Sequence, residues 1–145
     1  MEFISNSPRE TFDWARSLAA GAKAGDILCL TGDLGCGKTA FAKGFGAGLG
    51  VSAEITSPTF TILNIYDSPN QSLPLYHFDV YRISDPTEME DTGYEDFFYG
   101  NGVCLIEWAE IIKNMIPETA GWVTIEKDLR ESGDYRKIIY NGGRM

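Results

Sequence analysis

Apolar positions along this chain follow two periods. From Phe12 they recur at Ala15, Leu18, Ala19 and Ala22, the three-and-four spacing of one helical face. Ser7-Pro8-Arg9-Glu10 opens that run with an N-cap, a proline at the first helical position and a capping-box acid. Short apolar runs with β-rich composition predict strands over Glu2 to Ile4, Asp26 to Thr31, Thr59 to Tyr66, Leu75 to Val80 and Val103 to Ile106. Two more, Gly121 to Glu126 and Arg136 to Tyr140, are joined by a polar turn. Helices are predicted from Lys38 to about Gly48, where small residues dominate, and over Ala109 to Met115. Ser68 to Ser72 is turn chemistry, Asp85-Pro86 starts a short helix, and Tyr94 to Tyr99 is acidic and aromatic. Strand, loop, helix, strand predicts a three-layer α/β fold with parallel central strands, to which the final hairpin adds antiparallel edges.

Composition narrows the picture. With 145 residues, 43% apolar and 23% charged, the chain is expected to form a single globular domain over residues 1–145. Its longest apolar run, around Ile27 to Leu30, is far short of a membrane span, and the N-terminus lacks the basic-then-apolar pattern of a signal. The expected location is therefore the cytoplasm. Cys29, Cys36 and Cys104 follow no disulfide or zinc spacing, which predicts reduced thiols. Twelve Lys and Arg stand against 21 acids, for a net charge of −9. A chain that held nucleic acid alone would show a basic face, so this one is expected to dock on a more basic protein instead.

Candidate chemistry centres on Gly32-Asp33-Leu34-Gly35-Cys36-Gly37-Lys38-Thr39, which fits G-x-x-x-x-G-K-[ST]. Glycines let the backbone curl until its N–H groups converge on phosphate, and the helix that follows aims its positive dipole end at the same anion. Chance alone would produce such a match about once in a hundred chains of this composition. Between a predicted buried strand and a predicted helix it reads as a phosphate loop for ATP and Mg2+. Nucleotide contacts are expected from Asp33, Leu34, Gly35, Cys36, Gly37, Lys38, Thr39 and Ala40. Lys38 serves as a point charge on the β- and γ-phosphates, and Thr39 supplies a hydroxyl to magnesium.

A second metal-holding acid belongs at the end of a neighbouring strand. Glu107 ends the run Val103-Cys104-Leu105-Ile106, and Asp79 ends Leu75-Tyr76-His77-Phe78. Glu107 is the cleaner match. Thr56-Ser57-Pro58-Thr59 sits where a switch segment would feel the γ-phosphate, although by itself it reads as a turn. Trp108 reads as core packing, His77 as structural, and Arg82 equally as a surface ion pair or a transition-state charge. No Asn-Lys-x-Asp occurs, which favours adenine over guanine.

With those residues in hand the chain resembles the bacterial threonylcarbamoyladenosine-biosynthesis ATPase family TsaE, also called YjeE. Four blocks carry the resemblance: the Gly32 to Thr39 loop, Thr56-Ser57-Pro58-Thr59-Phe60, His77-Phe78-Asp79-Val80-Tyr81-Arg82, and Glu107-Trp108-Ala109-Glu110. It spans roughly Ser5 to Glu126. The resemblance implies the P-loop NTPase fold and an ATP hydrolase that works with a two-protein threonylcarbamoyltransferase complex, of TsaB and TsaD type. Together they install threonylcarbamoyl on the adenosine beside the anticodon of certain tRNAs (t6A), with tRNA held mainly by the partners. It further implies that Lys38 and Thr39 bind phosphate and magnesium and that Glu107 is the second metal group. Asp79 becomes a catalytic acid, Thr59 part of the switch, and Trp108 a neighbour of the nucleotide. Cys36 departs from the pattern, where alanine or serine is expected. Two rivals share the loop: a small P-loop kinase, which would normally carry an arginine-rich lid, and a nucleotide-gated binding module with little hydrolysis.

Overall fold

The computed structural model describes residues 1–33, 35–58, 61–128, 130–131 and 133–142. Its strands are β1 (Glu2–Ser5), β2 (Ile27–Thr31), β3 (Leu63–Tyr66), β4 (Leu75–Asp79), β5 (Val103–Glu107), β6 (Gly121–Glu126) and β7 (Arg136–Asn141). They form one sheet in the order β1-β7-β6-β2-β5-β4-β3. The four inner neighbours β6, β2, β5 and β4 run parallel, and β1–β7, β7–β6 and β3–β4 are antiparallel. The expected parallel centre with antiparallel flanks is therefore present. Of the final hairpin, however, only β7 adds an antiparallel strand, because β6 returns into the sheet beside β2 with Leu28 opposite Gly121.

Helices α1 (Pro8–Ala19), α2 (Lys38–Gly48) and α3 (Tyr94–Phe98) cover the faces, with 3-10 turns at Pro86–Thr92 and Ala109–Met115. Alternation along β2 splits the core in two. Leu28 and Leu30 meet Ala15, Ala19, Phe41 and Phe45 of α1 and α2 on one side. Ile27 and Cys29 meet Met89, Phe98, Ala109 and Ile112 on the other. A helical layer on each face of a central sheet is the three-layer arrangement predicted.

Ser7 caps α1 as read, its hydroxyl accepting from Glu10 N at 3.1 Å. In α2 the small residues have a packing reason. A Cβ on Gly44 would collide with Phe12 O of α1, and one on Gly48 would lie 2.5 Å from Arg16 O. Each glycine costs a helix about 1 kcal/mol against alanine. Burying Phe41 and Phe45, both fully inaccessible, contributes roughly 2 kcal/mol apiece. The close approach of α1 that glycine permits thus more than offsets the propensity cost of Gly44 and Gly48.

Two elements differ from the prediction. Ala109–Met115 is 3-10 rather than α, with Ile112 off helical geometry at φ −115°, ψ 29°. Ala109 and Ile112, three residues apart, are its buried positions, and three residues per turn aligns them on one face. The strand expected from Thr59 begins only at Leu63, where register with Phe78 of β4 starts; Thr59 and Phe60 lie outside the described residues.

Candidate active site

The carboxyl ends of β2, β4 and β5 converge on a cavity of about 510 Å³. β2 delivers the glycine loop there. Gly32 has φ +146°, and a Cβ at this position would lie 2.6 Å from both Cys36 Sγ and Ile125 O, so no side chain fits. Gly37 is left-handed at φ 106°, ψ 16°, and heads α2 without a side-chain cap. A helix start left uncapped keeps its first-turn N–H groups for an anion. Cys36 N donates to Asp33 O at 3.1 Å, closing the curl, while the Cys36 side chain turns inward and is 1% exposed.

Lys38 is buried. Its ammonium donates to Gly32 O at 2.5 Å and lies 3.5 Å above the centre of the Trp108 ring. Trp108 holds the one positive φ outside glycine among the described residues, 61°, immediately after β5, and its ring meets Tyr81 at 4.7 Å. A bulky residue in that conformation is strained, and such strain collects at functional sites. The sequence alone favoured core packing for Trp108; the structure places it on the cavity wall, over the loop lysine.

Asp79 and Glu107 are register partners at the ends of β4 and β5, and both line the cavity with Thr39. Burial pushes the Asp79 carboxyl above its usual range, the Tyr81 N–H at 3.0 Å pulls it down, and the Glu107 charge pushes it up again. His77 and Lys38 lower it less. Glu107, 3% exposed, has Oε2 at 2.6 Å from His77 Nε2, and Nδ1 of that buried imidazole has no hydrogen-bond partner among the described residues. His77, read from the sequence as structural, is thus the buried partner of Glu107. Residues 77 and 79 of a strand face the same way, and the pairing of Asp79 with Glu107 brings the imidazole to that carboxylate.

Gly35, Gly37, Lys38, Thr39, Ala40, Asp79, Glu107 and Trp108 all line the cavity, together with Ser57 of the turn cluster. Arg82 lies beside it, lining a second hollow with Ser57, Asp79 and Tyr81. Asp33 borders the opposite side of the loop, in an open hollow with Lys127 and Arg130. Leu34 and Thr59 lie outside the described residues.

Arg136 was missed altogether. It starts β7, one hundred residues from the loop, yet its guanidinium donates to Cys36 O at 2.7 Å and Gly35 O at 3.3 Å, and it lines the cavity with Asp134. No local spacing points to it.

As candidate metal donors, the Thr39 hydroxyl and the Asp79 and Glu107 carboxylates offer hard oxygens around one cavity. No group of three His, Cys, Asp or Glu able to hold a metal occurs among the described residues. That donor set fits magnesium, which keeps water and phosphate oxygens and takes only one or two carboxylates from a protein.

Parallel strands ending at a glycine loop, an uncapped helix start and two paired carboxylates define a mixed α/β protein whose candidate site lies at the carboxyl edge of its sheet. The chain belongs to the TsaE family: residues 5–138 match the model of the threonylcarbamoyl adenosine biosynthesis protein TsaE. It is 47% identical over 134 residues to the tRNA threonylcarbamoyladenosine biosynthesis protein TsaE of Bacillus subtilis, covering 92% of this chain and 80% of that one. To the Treponema pallidum protein of the same name it is 42% identical over 139 residues, covering 96% and 98%. The crystal structure of Bacillus subtilis YdiB is similar with a TM-score of 0.79 at 40% identity, covering 99% of this chain and 85% of that one. No helix among the described residues is long and apolar enough to cross a membrane.

Proposed function

We propose that this chain is a P-loop ATPase that binds Mg-ATP on the Gly32 to Thr39 loop and, with a two-protein partner complex of TsaB and TsaD type, supports t6A formation in tRNA. One observation carries the reading: the loop, the uncapped start of α2 and the in-register pair Asp79 and Glu107 share one cavity. Lys38 exchanges its contact with Gly32 O for phosphate oxygens. The Thr39 hydroxyl and the Glu107 carboxylate would hold the metal. When bound, magnesium supplies charge neutralisation on the β- and γ-phosphates. Asp79, its carboxyl raised by burial, orients the attacking water and takes its proton, since a base of higher pKa accepts a proton more readily at neutral pH. Trp108 and Tyr81 wall the reacting phosphate from bulk water.

Membership of a tRNA-modification family and a net charge of −9 support a role in which partners hold the tRNA. The test is steady-state phosphate release from Mg-ATP by the chain alone and with its partner pair. Slow release alone and strong stimulation by the pair is the expected result. Fast release alone, or transfer of phosphate to a small acceptor, would replace this reading with the kinase one.

A further inference from the structure

A loop that curls to turn N–H groups inward leaves carbonyls that must find donors on the outside. Two of those carbonyls, Gly35 O and Cys36 O, accept from Nη2 and Nε of Arg136 at 3.3 and 2.7 Å. Nη1 donates to Gly133 O and Tyr135 O, each at 2.7 Å, in the turn that leads into β7. Four of the five donors of this guanidinium are thus committed to backbone. One edge grips the loop and the other grips the turn from which the side chain springs. A Cβ on Gly37 would lie 3.8 Å from Arg136 Nε, so the side chain also packs against the last glycine before α2.

From this geometry we infer that Arg136 is a positioning residue: it staples the phosphate loop to the 133–135 turn and so holds the anion cradle in shape before any ligand arrives. The inference rests on the proposed function only in calling the cradle a phosphate site; the staple itself is a property of the ligand-free chain. A guanidinium presents a rigid planar fork, whereas a lysine ammonium in its place is a compact point charge that keeps the charge and loses the fork. The two roles open to a basic residue here, charge on the ligand and shape of the loop, therefore separate under conservative substitution.

The loop carries its own reporter. Cys36 is 1% exposed, and burial pushes its thiol up. Cys29 and Cys104, also free and fully buried, lie within β2 and β5, and burial pushes the Cys29 thiol up to about 12 and Cys104 higher still. Alkylation of each thiol by iodoacetamide, resolved by mass spectrometry on the full ligand-free chain, measures opening of the loop and of the sheet separately. In Arg136→Lys and Arg136→Gln the Cys36 rate is expected to rise about 10-fold or more, the size of lost charge-assisted hydrogen bonds. Cys29 and Cys104 should stay at their wild-type rates.

Binding of ADP without added metal, followed by calorimetry, should weaken about 10-fold in both variants, Lys doing no better than Gln. Wild-type Cys36 labelling in Arg136→Lys overturns the staple. So does a rise shared equally by all three thiols, because the residue would then support the whole sheet. ADP affinity restored by lysine alone overturns it too, in favour of direct charge. A wild-type chain that binds no ADP defeats the proposed function and leaves the labelling result to decide the staple.

Discussion

Asp79 ends β4 with its carboxyl raised first by burial and then by the Glu107 charge. Its charged form is therefore less favourable in the folded chain than in the unfolded one, and the sign of the pH effect follows. A carboxyl whose folded value is raised binds more protons folded than unfolded, so it destabilises the fold at neutral pH and ceases to do so as pH falls towards its ordinary value near ~3.9. Asp79→Asn is expected to raise the melting temperature of the ligand-free chain by roughly 1–4 °C at pH 8, a fraction of a kcal/mol for a domain this size. The gain should shrink as pH falls through the raised folded value towards the ordinary one. ATP affinity should change little, while phosphate release falls at least ~100-fold, the usual weight of a positioned general base. A melting temperature that drops at pH 8 would mean the carboxylate is a structural group. Lys38→Ala should instead remove ATP binding if the proposed function holds, because Lys38 is the one cation in the Gly32 to Thr39 loop; calorimetry gives the answer. His77→Ala strips the partner from a buried Glu107. It should cost about 1.5–3 kcal/mol in urea unfolding, the range for hydrogen bonds to charged groups. A loss under 0.5 kcal/mol would show that the contact contributes nothing to the fold.

At the scale of elements, α2 joins site to core. Its N-terminus presents Lys38 and Thr39 to the cavity, while Gly44 and Gly48 let α1 close on its flank. Gly44→Ala is expected to destabilise by about 2 kcal/mol, since the added methyl meets the backbone of Phe12 and must push two helices apart. The shift is read as a lower urea midpoint at unchanged slope. Mg-ATP should restore part of it, because binding to the folded state alone adds stability. Much of this element was legible: the glycine loop and the small-residue run mark its start and its crowding. Which glycines face α1 was not, because helical phase against a distant neighbour is set by tertiary packing. The 3-10 form of Ala109–Met115 was hidden likewise, since Ala109 and Ile112 fit a burial pattern of three as well as one of three and a half.

Across the whole molecule, the site is assembled from β2, β4 and β5, strands whose order in the sheet is not their order in the chain. Apolar runs ending in acids marked Asp79 and Glu107 because the chemistry of an open sheet sits at strand ends. Arg136 left no such mark, as its partners Gly35 and Cys36 are a hundred residues away and the pairing of β7 with β6 and, at Arg136 itself, with Ser5 of β1 brings it back. The same long-range view governs association. With a net charge of −9, the chain repels tRNA phosphate and attracts a basic protein surface. Screening shortens that attraction, since the Debye length falls from ~30 Å at 0.01 M salt to ~8 Å at 0.15 M. Half-maximal stimulation of phosphate release should therefore require about 3–10 times more partner complex at 0.3 M than at 0.05 M potassium chloride, with the saturated rate nearly unchanged. Salt would then act on encounter and not on chemistry. A half-maximal concentration that ignores salt would place the docking energy in apolar contact, and a saturated rate that falls with salt would place the charged contact inside the catalytic step.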